Sequence, residues 1–207
     1  MHLENPRFSF ITHYYLRGTV PFRSLSPLPD KEAHEIMRRL ADETLFGLRF
    51  KDPEGYLARR RQSEKWVHNA FAAKGGQPRQ EYPVYFVLGE SGWLAEQSPD
   101  KSRHTEIRIP LDAFEEGNVS FTYPDSMISR WFAEEKPPDL YQPDLHGRVF
   151  MKAEILEIIK KKGNPEQDWP KLPPALGPYI EAQVWNMEPL NRWLAANFHS
   201  NPQHSHK

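Results

Sequence analysis

The chain has 207 residues, of which 38% are hydrophobic, 27% charged and 13% aromatic, enough apolar side chains for one globular core. Collagen, coiled coil and disorder along the whole length are excluded, and the lack of cysteine removes disulfides, thiolate nucleophiles and cysteine-based zinc sites. The net charge of −1 conceals a division, because residues 1–80 hold 14 Lys and Arg against 9 acids and the remainder holds 13 against 19.

A basic surface for an anionic ligand in the first half is therefore allowed, though the chain lacks the strongly basic balance of a dedicated nucleic-acid domain. No apolar run approaches the length needed to cross a bilayer, and the first ten residues lack the apolar stretch of a signal peptide. The expectation is a cytoplasmic protein without a membrane partner. Most of the twenty prolines stand singly beside aromatic and aliphatic residues and read as loop punctuation.

Phe8 to Leu16 is aromatic and β-branched and runs into Arg17-Gly18, the pattern of a strand and turn. Asp30 is expected to cap a helix reaching about Asp42. A second helix carries stronger signals: Asp52 at the N-cap, Pro53 at the first helical position and Gly75-Gly76 as the stop. The continuous run Tyr82 to Leu88 predicts a central strand covered on both faces. Thr105 to Ile109 and Val119 to Thr122, separated by the turn Glu116-Gly117-Asn118, suggest an antiparallel pair. Asp125 is placed to cap a short helix, Ser126 to Phe132, and Lys152 to Lys162 reads as a helix closed by Gly163. Tyr179 to Trp185 is the last strand, Pro189 to Ala196 the last helix, and His199 to Lys207 a frayed tail. Strands and helices alternate irregularly, which favours an α+β fold in one domain, residues 1–198, followed by the flexible tail 199–207.

Three groups of residues bear on chemistry. In the second helix, Leu57, Val67 and Phe71 share a face with Arg60, Arg61 and Glu64, so charge stands where apolar residues belong. Two readings are open: an Arg60–Glu64 pair at i, i+4 with snorkelling stems, or an anion pocket built from guanidinium forks. In the last strand, Ile180, Ala182 and Val184 alternate with Tyr179, Glu181, Gln183 and Trp185, leaving Glu181 either on a solvated face or in a cleft. His13 reads as a structural histidine or a ligand contact, and the junction Phe121-Thr122-Tyr123-Pro124-Asp125-Ser126 as a turn or a pocket wall. The histidines of the tail, His199, His204 and His206, lack a carboxylate partner and are not read as a metal site. Walker, dinucleotide-binding glycine, nucleophile-elbow and zincin motifs are absent.

Taken in order, FITHYYLRG, YLARRRQSEKW, YPVYFVLGES, VSFTYPDSMIS and YIEAQVW resemble the segments of the DarT group of ADP-ribosyltransferase-like proteins, which ADP-ribosylate thymidine in single-stranded DNA using NAD+. The resemblance runs over about residues 8–194 and implies split antiparallel sheets flanked by helices, with NAD+ in a cleft between two sheets. It implies Glu181 as the catalytic glutamate and one of Arg59, Arg60 and Arg61 as the essential arginine, the helix geometry favouring Arg60 or Arg61. It also implies a nicotinamide-ribose contact at His13, an aromatic such as Tyr123 against the nicotinamide, and Tyr14 and Gln183 in the NAD+ pocket. The implied partners are single-stranded DNA or another nucleic acid and an antitoxin or reversing protein; no metal is implied. Two rival classes stand beside it: a non-catalytic nucleotide or single-stranded nucleic-acid binder using Tyr14, Tyr15 and Trp66, and a protein-interaction domain in which Tyr179 and Trp185 pack on a partner.

Overall fold

Five strands pair into one antiparallel sheet in a computed structural model that describes residues 6–41, 47–97 and 101–198. They are β1 (Phe10–Leu16), β2 (Val84–Leu88), β3 (His104–Pro110), β4 (Val119–Thr122) and β5 (Glu181–Val184), laid side by side in the order β3-β1-β2-β5-β4. The fold is mixed α+β, and β2 is the central strand that its continuous apolar run predicts. Two expectations are corrected. The strands do not split into two sheets, and β3 and β4 do not pair with each other but form opposite edges. β3 instead matches β1 residue for residue, from Phe10 opposite Pro110 to Leu16 opposite His104. The connection to β4 is two 3-10 turns, Leu111–Ala113 and Glu116–Asn118, which carry the chain away from β3 where a two-residue hairpin turn would have folded it back.

Cross-strand pairing assigns every strand residue to a face. On one face Phe86, Ala182 and Phe121 form a row, Val84, Val184 and Val119 a second, and Ile11 stands between Leu88 and Ile109. All of these belong to the main buried core, which Ile155, Ile159, Trp169 and Leu190 complete. On the other face Thr12, Val87, Glu181 and Thr122 form one row and Tyr85, Gln183 and Ser120 the next. Odd and even positions of the same strands thus build an apolar face and a largely polar one.

Helices cover both faces: α1 (Asp30–Leu40), α2 (Pro53–Ala73), α3 (Gly92–Gln97), α4 (Ser126–Glu135), α5 (Lys152–Lys162) and α6 (Met187–Phe198). The 21-residue α2 starts and stops where its signals place it, with the Asp52 carboxylate accepting from the Gly55 amide at 3.0 Å, Pro53 in the first turn, and Gly75 at φ +92° beyond the end. Its Val67 and Phe71 pack on Trp185, anchoring it over the polar side of the sheet. Asp30 opens α1 without capping it; Pro29 holds the cap position and the Asp30 carboxylate goes to Arg61. Asp42, the expected end of that helix, lies outside the described residues, as does the tail His199 to Lys207. The six-residue α3 follows Ser91-Gly92 without a helix-length apolar pattern to announce it. Among the described residues no helix is long and apolar enough to cross a membrane, and no group of three His, Asp or Glu is placed to hold a metal ion.

Candidate active-site cleft

Between the polar face of the sheet and the layer formed by α1, α2 and the 3-10 turn Gly47–Lys51 lies a cleft of about 870 Å³. Thr12, Tyr14, Tyr85, Val87 and Glu181 supply the sheet wall; Leu25, Leu28, Leu40, Phe50, Tyr56 and Arg60 supply much of the other. Five arginines line it, Arg17, Arg23, Arg39, Arg49 and Arg60, and all come from the basic first half of the chain.

Glu181 is 9% exposed, and its Oε1 accepts hydrogen bonds from the Ser126 backbone amide at 3.0 Å and from Gln183 Nε2 at 3.1 Å. Gln183 is fully buried behind it and is itself fixed, since Nε2 donates to Thr122 Oγ1 and Oε1 accepts from Ser120 Oγ. Trp185 Nε1 donates to that same serine at 2.8 Å, so a buried polar chain runs from Trp185 through Ser120 and Gln183 to Glu181. From Trp185 Nε1 to Glu181 Oε1 each successive polar atom of this chain has a partner, which is the condition for burying such groups without a large penalty. The Glu181 carboxyl is pushed up to about 7, first by desolvation and then by the neighbouring Asp125 charge, against the pull of Gln183 and Ser126.

Asp125 is also buried, and its two oxygens are divided between tasks: Oδ1 caps α4 by accepting from the Ile128 amide at 3.0 Å, and Oδ2 pairs with Arg49 Nη2 at 3.0 Å. Arg60 lies across the cleft from this pair of groups, with its guanidinium 4.4 Å from the centre of the Tyr85 ring. Its Nε donates to Glu64 Oε1 at 3.0 Å, and the same oxygen accepts from Ser26 Oγ at 2.7 Å and from the Tyr85 hydroxyl at 2.8 Å. The i, i+4 pair and the cleft arginine are therefore one residue serving both roles. Glu64 is fully buried and compensates the charge that Arg60 carries into the wall.

The remaining sequence-predicted residues separate from this centre. Arg59 is exposed and pairs with Asp52 across the first turns of α2. Arg61 staples the segment before α1, donating to the Ser26 and Leu28 carbonyls and to Asp30. His13 borders the cleft, but strand alternation turns its ring to the apolar face against Phe22 and Phe86. Both its nitrogens are engaged: Nε2 accepts from the Phe22 amide at 3.0 Å, so Nδ1 carries the proton and donates to the Tyr85 carbonyl at 2.8 Å. Burial lowers its pKa, opposed in part by that carbonyl, and the ring is neutral. A ribose contact through a His13 nitrogen would require breaking one of these bonds. Tyr123 is fully enclosed in the main core between His146 and Trp169, so it cannot lie against a ligand in the cleft. Gln183 supports Glu181 from beneath and lines no part of the cleft. Tyr14 does line it, with its hydroxyl accepting from the Ser91 amide.

Sequence reasoning missed Arg49, Tyr56 and Tyr85 as wall residues. Tyr85 was hidden inside an apolar run whose alternate positions face opposite ways, and Arg49 stands in a short turn with no pattern to mark it. The strand-to-helix junction carried a usable signal, because Asp125 and Ser126 line the cleft while Tyr123, two residues earlier, points to the other side. No protein-family model, curated protein or solved structure matches this chain.

Proposed function

We propose that the protein is an NAD+-dependent ADP-ribosyltransferase with its reaction centre at Glu181. The observation that carries this reading is a nearly buried carboxylate, oriented by the Ser126 amide and Gln183, on the wall of a cleft that also presents arginines and tyrosine rings. Such walls suit a dinucleotide, whose phosphates take guanidinium donors and whose rings take aromatic faces. Arg60, and not Arg59 or Arg61, is the arginine of the triplet that lines the cleft, where its Nη1 and Nη2 donate to the Tyr56 and Ser24 hydroxyls that a ligand would displace.

In the reaction the bond between C1′ of the ribose and the nicotinamide nitrogen breaks, and the electron pair leaves with nicotinamide. Positive charge develops on the ribose, and an ionised Glu181 accepting from the 2′-hydroxyl stabilises that charge more in the transition state than in the ground state. The acceptor atom forms the new bond to C1′ and gives up its proton to Glu181 or to water. Because only the ionised carboxylate acts in this way, turnover rises with pH through about 7. The acceptor in this reading is a base of single-stranded DNA or of another nucleic acid, whose backbone would meet the exposed Arg17, Arg23 and Arg39 at the cleft. A reversing or antitoxin protein is the partner such a modification calls for.

Thermal melting with and without NAD+ tests the reading. At a hundredfold excess over the dissociation constant, binding to the folded state alone raises the midpoint by about 5–10 °C. The rise persists in Glu181→Gln and shrinks in Arg60→Lys, which keeps the charge and loses the fork, while release of nicotinamide falls by about two to three orders of magnitude in Glu181→Gln, the size of effect seen when one transition-state contact is lost. Undiminished NAD+ consumption by Glu181→Gln would refute the assignment; binding without consumption by the native protein would favour a non-catalytic nucleotide binder.

A further inference from the structure

Beside Glu181 stands a second buried carboxylate that the proposed reaction leaves unused. Asp125 lines the same cleft, is 2% exposed, and is clamped at both oxygens, by the Ile128 amide and by Arg49. The next residue, Ser126, sends its backbone amide to Glu181 Oε1. One short turn thus delivers a donor to Glu181 and, one residue earlier, a negative charge with its own counterion. We propose that Asp125 is a positioning residue for Glu181: the clamp formed by Arg49 and the α4 cap holds the Ser126 amide on the Glu181 carboxylate and fixes a counter-charged carboxylate beside it. This rests on the reading of Glu181 as the reacting carboxylate only for its consequence in turnover; the arrangement itself is testable without NAD+.

A bare second carboxylate would keep Glu181 protonated, and a bare guanidinium would hold it permanently ionised; joined as a part-buried pair, they leave Glu181 poised between the two states. The raised pKa of Glu181, with burial first and Asp125 second among its causes, agrees with this placement. Other titratable groups reach the same space: Tyr85 from β2, Tyr179 from the segment before β5, Arg60 and Tyr56 from α2, and Glu106 and His104 from β3. Tyr85 and Tyr179 are both raised well above the ordinary range, mainly by burial, and stay neutral, so the charge acting most directly on Glu181 is that of Asp125, to which Arg49 is paired.

The test is a carbon-13 NMR titration of the glutamate-labelled full chain, with the Glu181 signal identified by its loss in Glu181→Gln. Asp125→Asn keeps an acceptor for the α4 cap and removes the charge, and the Glu181 midpoint is expected to fall by about one pH unit. Arg49→Met removes the counterion and is expected to raise it, whereas Arg49→Lys leaves it near the native value. Opposite movement in the two charge-changing variants is a signature that a purely structural role would not produce. A midpoint that stays put in both, or moves the same way in both, overturns the proposal; if Asp125→Asn fails to fold, an unmoved midpoint in Arg49→Met overturns it alone. The pH profile of NAD+ consumption then separates the two ideas. A profile that follows the NMR midpoint supports both, and one that ignores a shifted midpoint removes Glu181 from the chemistry while leaving the positioning role of Asp125 intact.

Discussion

The two faces of the sheet are made by neighbouring residues of the same strands, yet they follow opposite rules. On the apolar face Phe86, Ala182, Phe121 and Val184 are held by close packing, where each buried group contributes by leaving water. On the polar face Glu181, Gln183, Ser120 and Tyr85 are held by directed bonds, where burial is unfavourable unless every atom finds its partner. The first face tolerates only loss of volume poorly; the second tolerates loss of a partner poorly. The apolar side therefore supplies a rigid backing, and the polar side spends some of that stability on holding a carboxylate ready.

The contrast is most easily broken from the apolar side. Phe121→Ala, at a fully buried position paired with Ala182 and bridged to Phe150, is expected to cost ~3–5 kcal/mol, read as a loss in denaturant midpoint. NAD+ binding by the fraction still folded should be unchanged, since this side chain faces away from the cleft.

A smaller effect on stability, but a specific one on chemistry, is expected from Gln183→Leu. The change leaves Ser120 and Thr122 without their amide partner and costs ~1–3 kcal/mol. It also withdraws a donor from the ionised form of Glu181, so the acidic limb of NAD+ consumption should move to higher pH.

Titration gives the two sides opposite signs. Behind the apolar face, His146 is enclosed between Tyr123 and Phe132, and burial, opposed in part by the Leu140 carbonyl, lowers its pKa to about 4. The unfolded chain takes up that proton first, so its contribution to stability is present above pH 6.5 and lost as pH falls towards 4. Glu181 runs the other way: with its carboxyl raised to about 7, the folded state holds the proton more tightly, and that contribution is complete below 4.5 and lost as pH rises through 7. Melting curves across pH should accordingly flatten on the acid side in His146→Phe and on the neutral side in Glu181→Gln, each by several degrees. The same slope in native protein and variant would contradict the assignment. Smallest of all, Arg59→Ala removes an exposed pair with Asp52 and is expected to change stability by no more than ~0.5 kcal/mol, with NAD+ turnover unaltered.

What could be read from the sequence was whatever local chemistry decides. Asp52, Pro53 and Gly75 bound α2 through backbone groups within a few residues, and the alternation of Tyr179 to Trp185 sorts that strand correctly into its two faces. The Arg60–Glu64 pair was legible because i, i+4 neighbours meet on any helix. What depended on distant partners was not. Nothing near β3 says that it completes β1 and leaves β4 to pair with β5, and a histidine among aromatics, as His13 is, gives no sign of which face it will take until the register of β1 is known. Tyr123 failed for the same reason, since an aromatic one turn from the reacting residues is as readily core as cleft.

The late position of β5 has one more consequence, for the protein during its own synthesis. β5 lies between β2 and β4 and contributes Glu181, so a nascent chain that has passed residue 170 still lacks the seam joining the two halves of the sheet and the group on which the proposed chemistry depends. Its pairing with β2 joins residues about a hundred positions apart and carries a loop-closure cost to match. Translation interrupted before that strand would release a fragment with an unsatisfied sheet edge and without Glu181, a target for proteolysis.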